Sequence, residues 1–221
     1  MEQGTGLAAR QKQLLDLAIK EPYILNTFYL SGGTALSYWY LHHRQSDDLD
    51  LFSTVPFDYD RITRWFRANE RILNYDQLRF DEDYGFLKVD IHFSNKQRLR
   101  IDFHHYTNTT LESGIVWNGL KIDSLTDITV NKLDTIATRP RTRDYVDLYF
   151  IFQSTPQKLD SLLSLVAKKF KESIDPMQLS KNLLKAGEYT DYPNMLVPFA
   201  KNEMYRFYEG LAGSLKSKIL K

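Results

Sequence analysis

Residues 30–36 read Leu-Ser-Gly-Gly-Thr-Ala-Leu, and residues 46–52 read Ser-Asp-Asp-Leu-Asp-Leu-Phe. The first stretch is a Gly-Gly-Thr turn opening a helix. The second starts a strand with carboxylates at alternate positions. Side chains alternate along a strand, so Leu49 and Leu51 face one way and Asp48 and Asp50 the other. The rise per residue sets the two carboxylates about 7 Å apart. Like charges so placed repel each other without a cation. Gly32, Gly33 and Thr34 can present backbone N–H groups and a hydroxyl to a phosphate at a helix N-terminus. Asp48 and Asp50 can hold the divalent metal that such a phosphate needs. A Gly-Gly pair alone is often a tight turn, and an Asp-Leu-Asp alone is often a solvated edge. In this order and this close, they read as two halves of a nucleotide site.

Composition narrows the remaining classes. The chain has 221 residues and a formal charge of +1, so no bulk field steers it to nucleic acid or membrane. It has no cysteine, which excludes disulfides and thiolate metal sites. No N-terminal run resembles a signal peptide, and no segment approaches the ~20 apolar residues of a membrane helix. The expectation is a soluble cytoplasmic protein with no membrane partner.

Working outward, residues 6–20 carry apolar groups at helical spacing. Residues 28–30 form a short strand, 34–42 a helix, 48–52 the acidic strand and 58–73 a helix. Residues 85–105 alternate and read as a hairpin. Val89, Ile91, Phe93, Leu99, Ile101 and Phe103 take one face; Lys88, Asp90, His92, Arg100, Asp102 and His104 take the other. Its loop lies around Ser94–Gln97. A turn centred on Lys96 would set Asp90 opposite Asp102, a costly pairing of like charges. Asn118-Gly119 marks a second hairpin over 114–122. Ser124-Leu-Thr-Asp127 opens a helix with capping chemistry. Helix resumes from about 142 to 153, and the pattern beyond Pro156 is helical only. A charged constellation falls at the break: Lys132, Arg139, Arg141, Arg143, Asp144 and Asp147. Beside a triphosphate its cations would neutralise phosphate charge. Alone, it reads as a set of surface ion pairs of little energetic weight.

With these residues assembled, the chain resembles the AbiEii/AbiGii toxin family of nucleotidyltransferases, within the DNA polymerase β-like superfamily. The resemblance spans about 28–149. It is carried by Leu30-Ser-Gly-Gly-Thr-Ala-Leu36, His43-Arg44, Ser46-Asp-Asp-Leu-Asp-Leu-Phe52, Ile101-Asp-Phe103, Ser124-Leu-Thr-Asp-Ile128 with Lys132, and Arg143-Asp-Tyr-Val-Asp-Leu-Tyr149.

The resemblance implies an α/β (α+β) fold: a polymerase β-like nucleotidyltransferase core, 1–122, with a mixed sheet flanked by helices. An all-helical C-terminal region, 123–221, follows. Asp48 and Asp50 would be the first two metal carboxylates and Asp102 the third, holding Mg²⁺ or Mn²⁺. Gly33 and Thr34 would meet the triphosphate, and Lys132 would match the family's nucleotide-contacting lysine. Arg143 stands beside Asp144 and Asp147, which match the late acidic motif. Arg44 and Ser46 would brace the acidic strand. The implied activity moves an NMP from an NTP to a hydroxyl on RNA (tRNA, for example) or protein. The implied setting is the toxin of a bacterial toxin–antitoxin or abortive-infection phage-defence system, with a separate antitoxin. Two rivals remain at this point: a small-molecule, antibiotic-type nucleotidyltransferase, and a nucleotide- or antitoxin-binding module without turnover.

Overall fold

A computed structural model describes residues 8–94 and 96–220. The start of the expected 6–20 helix and Asn95 of the hairpin loop lie outside these. The chain divides into two compact units. The first takes the described residues through Tyr38, then Ser46–Thr109 and Ser113–Asp123. The second takes Trp39–Gln45, Thr110–Glu112 and the described residues from Ser124 onward.

In the first unit, strands β1 (Tyr29–Ser31), β2 (Asp48–Ser53), β3 (Gln77–Asp83), β4 (Phe86–His92), β5 (Arg98–His105), β6 (Ile115–Trp117) and β7 (Leu120–Ile122) form one mixed sheet. Its order is β3-β4-β5-β2-β1-β7-β6. The β2–β5 and β1–β7 pairs are parallel, and the remaining pairs are antiparallel. The flanking helices are α1 (Ala9–Ala18), α2 (Pro22–Thr27), α3 (Gly32–Ala35), α4 (Tyr59–Ala68) and α5 (Glu70–Leu73). Period-two alternation gives the sheet one apolar face. Leu30, Leu49, Leu51, Val89, Ile91, Ile101, Phe103 and Ile122 are all buried. Each such side chain contributes about 1.5–3 kcal/mol of transfer free energy. Phe66 of α4 meets Phe103 edge-on at 6.3 Å between centroids, and the Arg10 guanidinium of α1 lies 4.1 Å over Phe93.

The opposite face carries the chemistry, in rows fixed by register. One row runs Asp48, Arg100, Asp90. The next runs Ser31, Asp50, Asp102, Lys88. A third runs Tyr29, Phe52, His104, Phe86. The expected hairpin register is corrected here. Asp90 faces Arg100 and Asp102 faces Lys88, so each carboxylate meets a cation and not its twin. Asp90 accepts from Arg98 at 2.7 Å and pairs with Arg100 at 3.3 Å.

Two elements are absent from the periodicity reading. The edge strand β3 is mostly exposed and carries Arg79, Asp81, Glu82 and Asp83, so its apolar alternation is limited to Leu78 and Phe80. Such charges blunt a sheet edge. Helix α2 is short, with Glu21 capping Tyr23 and Pro22 at its first turn. The expected 34–42 helix is only partly α-helical. It begins at Gly32 and continues in wider π-type turns over Leu36–Leu41, ending at His42 with φ +51°.

In the second unit, α6 (Leu125–Thr138) packs against α7 (Thr142–Ser154), α8 (Leu159–Phe170) and α9 (Pro176–Leu184). Helices α10 (Lys201–Ser214) and α11 (Lys216–Ile219) follow. Ser124 caps α6 as expected, its Oγ accepting from the Asp127 N–H at 2.9 Å. Asn182 closes the other end, donating to the Ile136 and Ala137 carbonyls at 2.9 and 2.8 Å. Those carbonyls lie in the last helical turn, where no intrahelical donor remains.

Gly32 is the tightest backbone position. Its φ is +73°, and a Cβ there would collide with the Asp50 carboxylate. Gly32→Ala is therefore expected to lower stability by about 1–3 kcal/mol, the cost of a strained backbone conformation. Urea unfolding measures it, and a loss below about 0.5 kcal/mol would show that the turn relaxes freely.

Candidate functional site

The glycine turn and the acidic strand are locked together. β1 ends at Ser31, opposite Asp50. Gly32 then turns left-handed, which lets the Asp50 carboxylate lie against its backbone. The buried Thr34 hydroxyl donates to the Asp48 main-chain carbonyl. Thr34 thus ties the start of α3 to β2, whereas the sequence suggested a hydroxyl offered to phosphate. Ser31 Oγ donates to Asp123 at 2.7 Å, fixing the end of β1 from the other side.

The parallel pairing of β2 with β5 sets Asp50 beside Asp102. One ligand atom each from Asp50, Asp102 and His104 lie within 4.8 Å of one another. Asp48 lies one row away on the same face, opposite Arg100. Burial, then the charges of Asp50 and Asp48, push the Asp102 carboxyl up to about 6; Arg100 only partly offsets them. Among the described residues, Asp102 Oδ1 is a buried oxygen without a hydrogen-bond partner. Two carboxylates, one of them with an orphaned buried oxygen, and an imidazole make a donor set that fits a divalent cation such as Mg²⁺ or Mn²⁺. His104 was not singled out from the sequence as a site residue. Its only signal was a place two residues after Asp102 on the polar side of the hairpin.

Lys132, Arg143, Asp144 and Asp147 belong to the second unit, and three of them form a closed ion network. The Lys132 ammonium is 2.7 Å from both Asp144 and Asp147. Arg44 forks onto Asp147 at 2.6 and 2.8 Å, and His43 Nε2 meets the same carboxylate at 2.8 Å. All five side chains are buried. The surface-pair reading is thereby corrected: these charges are out of water, and each is held by an opposite partner. Arg44 pairs with Asp147 and donates to the Gln45 carbonyl at 2.8 Å. Burial alone would raise the Asp147 and Asp144 carboxyls. The charges of Arg44 and Lys132 outweigh it for Asp147 and hold that group well below the usual range. Lys132 and Arg141 hold Asp144 below its usual range. Arg143 is half-buried and stands next to this network in sequence.

Residues 15–210 match the family described as nucleotidyl transferase AbiEii toxin, type IV TA system. An uncharacterized protein of Aquifex aeolicus (strain VF5) is 34% identical over 165 residues, covering 73% of this chain and 74% of that one. Two crystal structures from Helicobacter pylori share the fold. A candidate nucleotidyltransferase superposes with a TM-score of 0.61 at 21% identity, covering 95% of this chain and 94% of the other. JHP933 gives 0.60 at 19% identity, covering 98% and 94%. No helix among the described residues is long and apolar enough to cross a membrane.

The buried network generates a stability prediction. Lys132→Met leaves two buried carboxylates with too little positive charge, which should cost about 3–5 kcal/mol in chemical denaturation. A loss under about 1 kcal/mol, with weakened NTP binding, would instead assign the lysine to the nucleotide.

The carboxyls also fix a pH profile. Asp90, Asp127, Asp144 and Asp147 are all held below their usual range, in each case by cations or donors that outweigh burial. Their contribution is present above about pH 4 and is lost as pH falls through their folded-state values. Asp102 has the opposite sign: its folded form keeps a proton up to about 6. Its contribution is full below about pH 4 and lost as pH rises toward 6. In chelator, Asp102→Asn should remove the upper loss and keep the acid one. Urea midpoints measured across pH in wild type and variant check both.

Proposed function

The chain belongs to the AbiEii nucleotidyl transferase toxin family, and from that premise we infer that it transfers an NMP from an NTP to a hydroxyl acceptor. The observation that carries this reading is the register-locked acidic row: Asp50 against the Gly32 backbone, beside Asp102 and within reach of His104.

Asp48, Asp50 and Asp102 would hold Mg²⁺ or Mn²⁺, with His104 at the margin of the same group. When bound, the metal would neutralise phosphate charge and make the acceptor hydroxyl more acidic. The chain's own groups do the rest. Gly32 and Gly33 bring main-chain N–H groups to the triphosphate at the head of the turn. Thr34 holds the acidic strand against that turn through the Asp48 carbonyl. The acceptor oxygen bonds to the α-phosphorus. The bond from that phosphorus to the bridging oxygen breaks, and pyrophosphate leaves with the electron pair. Asp102, whose carboxyl burial and neighbouring charge push up to about 6, receives the hydroxyl proton. Lys132, Asp144 and Asp147 join the helices of the second unit through their buried ion network. RNA or protein is the proposed acceptor class, a separate antitoxin the proposed partner, and the bacterial cytoplasm the proposed compartment.

The test is incubation with each labelled NTP, Mg²⁺ and total RNA, followed by separation of RNA, protein and small products. Wild type should label a macromolecule. Asp48→Ala and Asp50→Ala should each lose more than about a hundredfold, the scale of removing a preorganised electrostatic group. Both should still fold, which thermal melting checks, because each removes a charge that raises the Asp102 carboxyl. Calorimetry should detect NTP binding with Mg²⁺ and little in chelator. Label on small acceptors alone would favour the antibiotic-type rival, and metal-independent binding without transfer would favour the binding module.

A further inference from the structure

The third row of the site face contains four rings. Tyr29, Phe52, His104 and Phe86 stand side by side across β1, β2, β5 and β4. Successive centroids are 5.8, 4.7 and 4.9 Å apart, with interplanar angles of 28°, 16° and 38°. Tyr106 closes on Phe52 edge-to-face at 5.5 Å. All five are half-buried, so this aromatic strip keeps open surface on the polar side of the sheet. Lys121, paired with Tyr29 in register and exposed, extends the row with a positive charge.

We propose that this strip is the stacking platform for the terminal base of a single-stranded nucleic-acid acceptor. The inference rests on the transfer reading above and deepens it by choosing the acceptor class. The glycine turn lies at the Asp48 end of β2, where Thr34 reaches the Asp48 carbonyl. The aromatic row lies beyond Asp50 on the opposite side, about 7 Å further along the strand from the rise per residue. In an in-line displacement the attacking and leaving oxygens stand on opposite sides of the phosphorus. With the pyrophosphate leaving toward the glycine turn, the acceptor hydroxyl must approach from the aromatic side. An acceptor with a flat base next to its hydroxyl finds rings there to stack on, and its backbone phosphate finds Lys121. A protein hydroxyl has no base to match the row.

The ordinary account of such a row is cross-strand packing alone, and the experiment separates the two. Fluorescence anisotropy compares a labelled short single-stranded RNA with a twin whose terminal nucleotide is abasic, both in Mg²⁺. Wild type should bind the base-bearing RNA about tenfold more tightly, the scale of one stacked base. Phe52→Leu should erase the preference, and Phe52→Trp should keep it. Phe86→Leu, at the other end of the row, serves if Phe52→Leu fails to fold, with thermal melting as the check. Equal binding of both RNAs by wild type overturns the proposal, as does a preference that survives the leucine variants. Label that passes from NTP to protein and not to RNA also overturns it. RNA labelled without any base preference sinks the platform and spares the transfer reading. A base preference without transfer supports the platform and sinks the transfer reading.

Discussion

The Asp50 carboxylate occupies the space that a side chain at residue 32 would need. Much of the first unit's site follows from that one steric fact. Only glycine fits, and only glycine adopts φ +73° there without strain. The chain can then leave β1, turn and enter α3 while passing directly over the acidic strand. Thr34 completes the lock by donating to the Asp48 carbonyl. With β2 pinned against β1, its parallel register with β5 brings Asp50 and Asp102 face to face.

The two charged clusters solve opposite problems. In the second unit, Asp144 and Asp147 are matched by Lys132 and Arg44, and the carboxyls are held ionised. A network so balanced is costly to break. Around Asp102 in the first unit, negative charge outweighs positive. Arg100 offsets only part of the field of Asp48 and Asp50, and burial and that field push Asp102 up to about 6. A cluster left in that state gains by taking up a cation.

Single-strand pattern was readable wherever one residue's neighbours in sequence were also its neighbours in space. The Asn118-Gly119 turn is such a case, with both residues at positive φ. Ser124 with Asp127 is another. Reading failed where exposure removed the apolar signal, as in β3. It also failed where two registers satisfied the same alternation. Setting Asp90 against Arg100, and not against Asp102, depends on charge pairing across strands, which periodicity does not encode.

Residue order alone places Asp48 and Asp50 on one side of a strand, sets glycines at a helix start and makes the later chain helical. These follow from local geometry, since backbone period and steric freedom act over a few residues. Only the tertiary structure decided the company those residues keep. It made His104 a neighbour of the acidic pair and aligned four rings along one row. It also turned Lys132 from a surface charge into the buried partner of two carboxylates. Strand pairing and helix packing join residues far apart in the chain, and burial then strengthens whatever charges they bring together, so these assignments arise only when the chain folds.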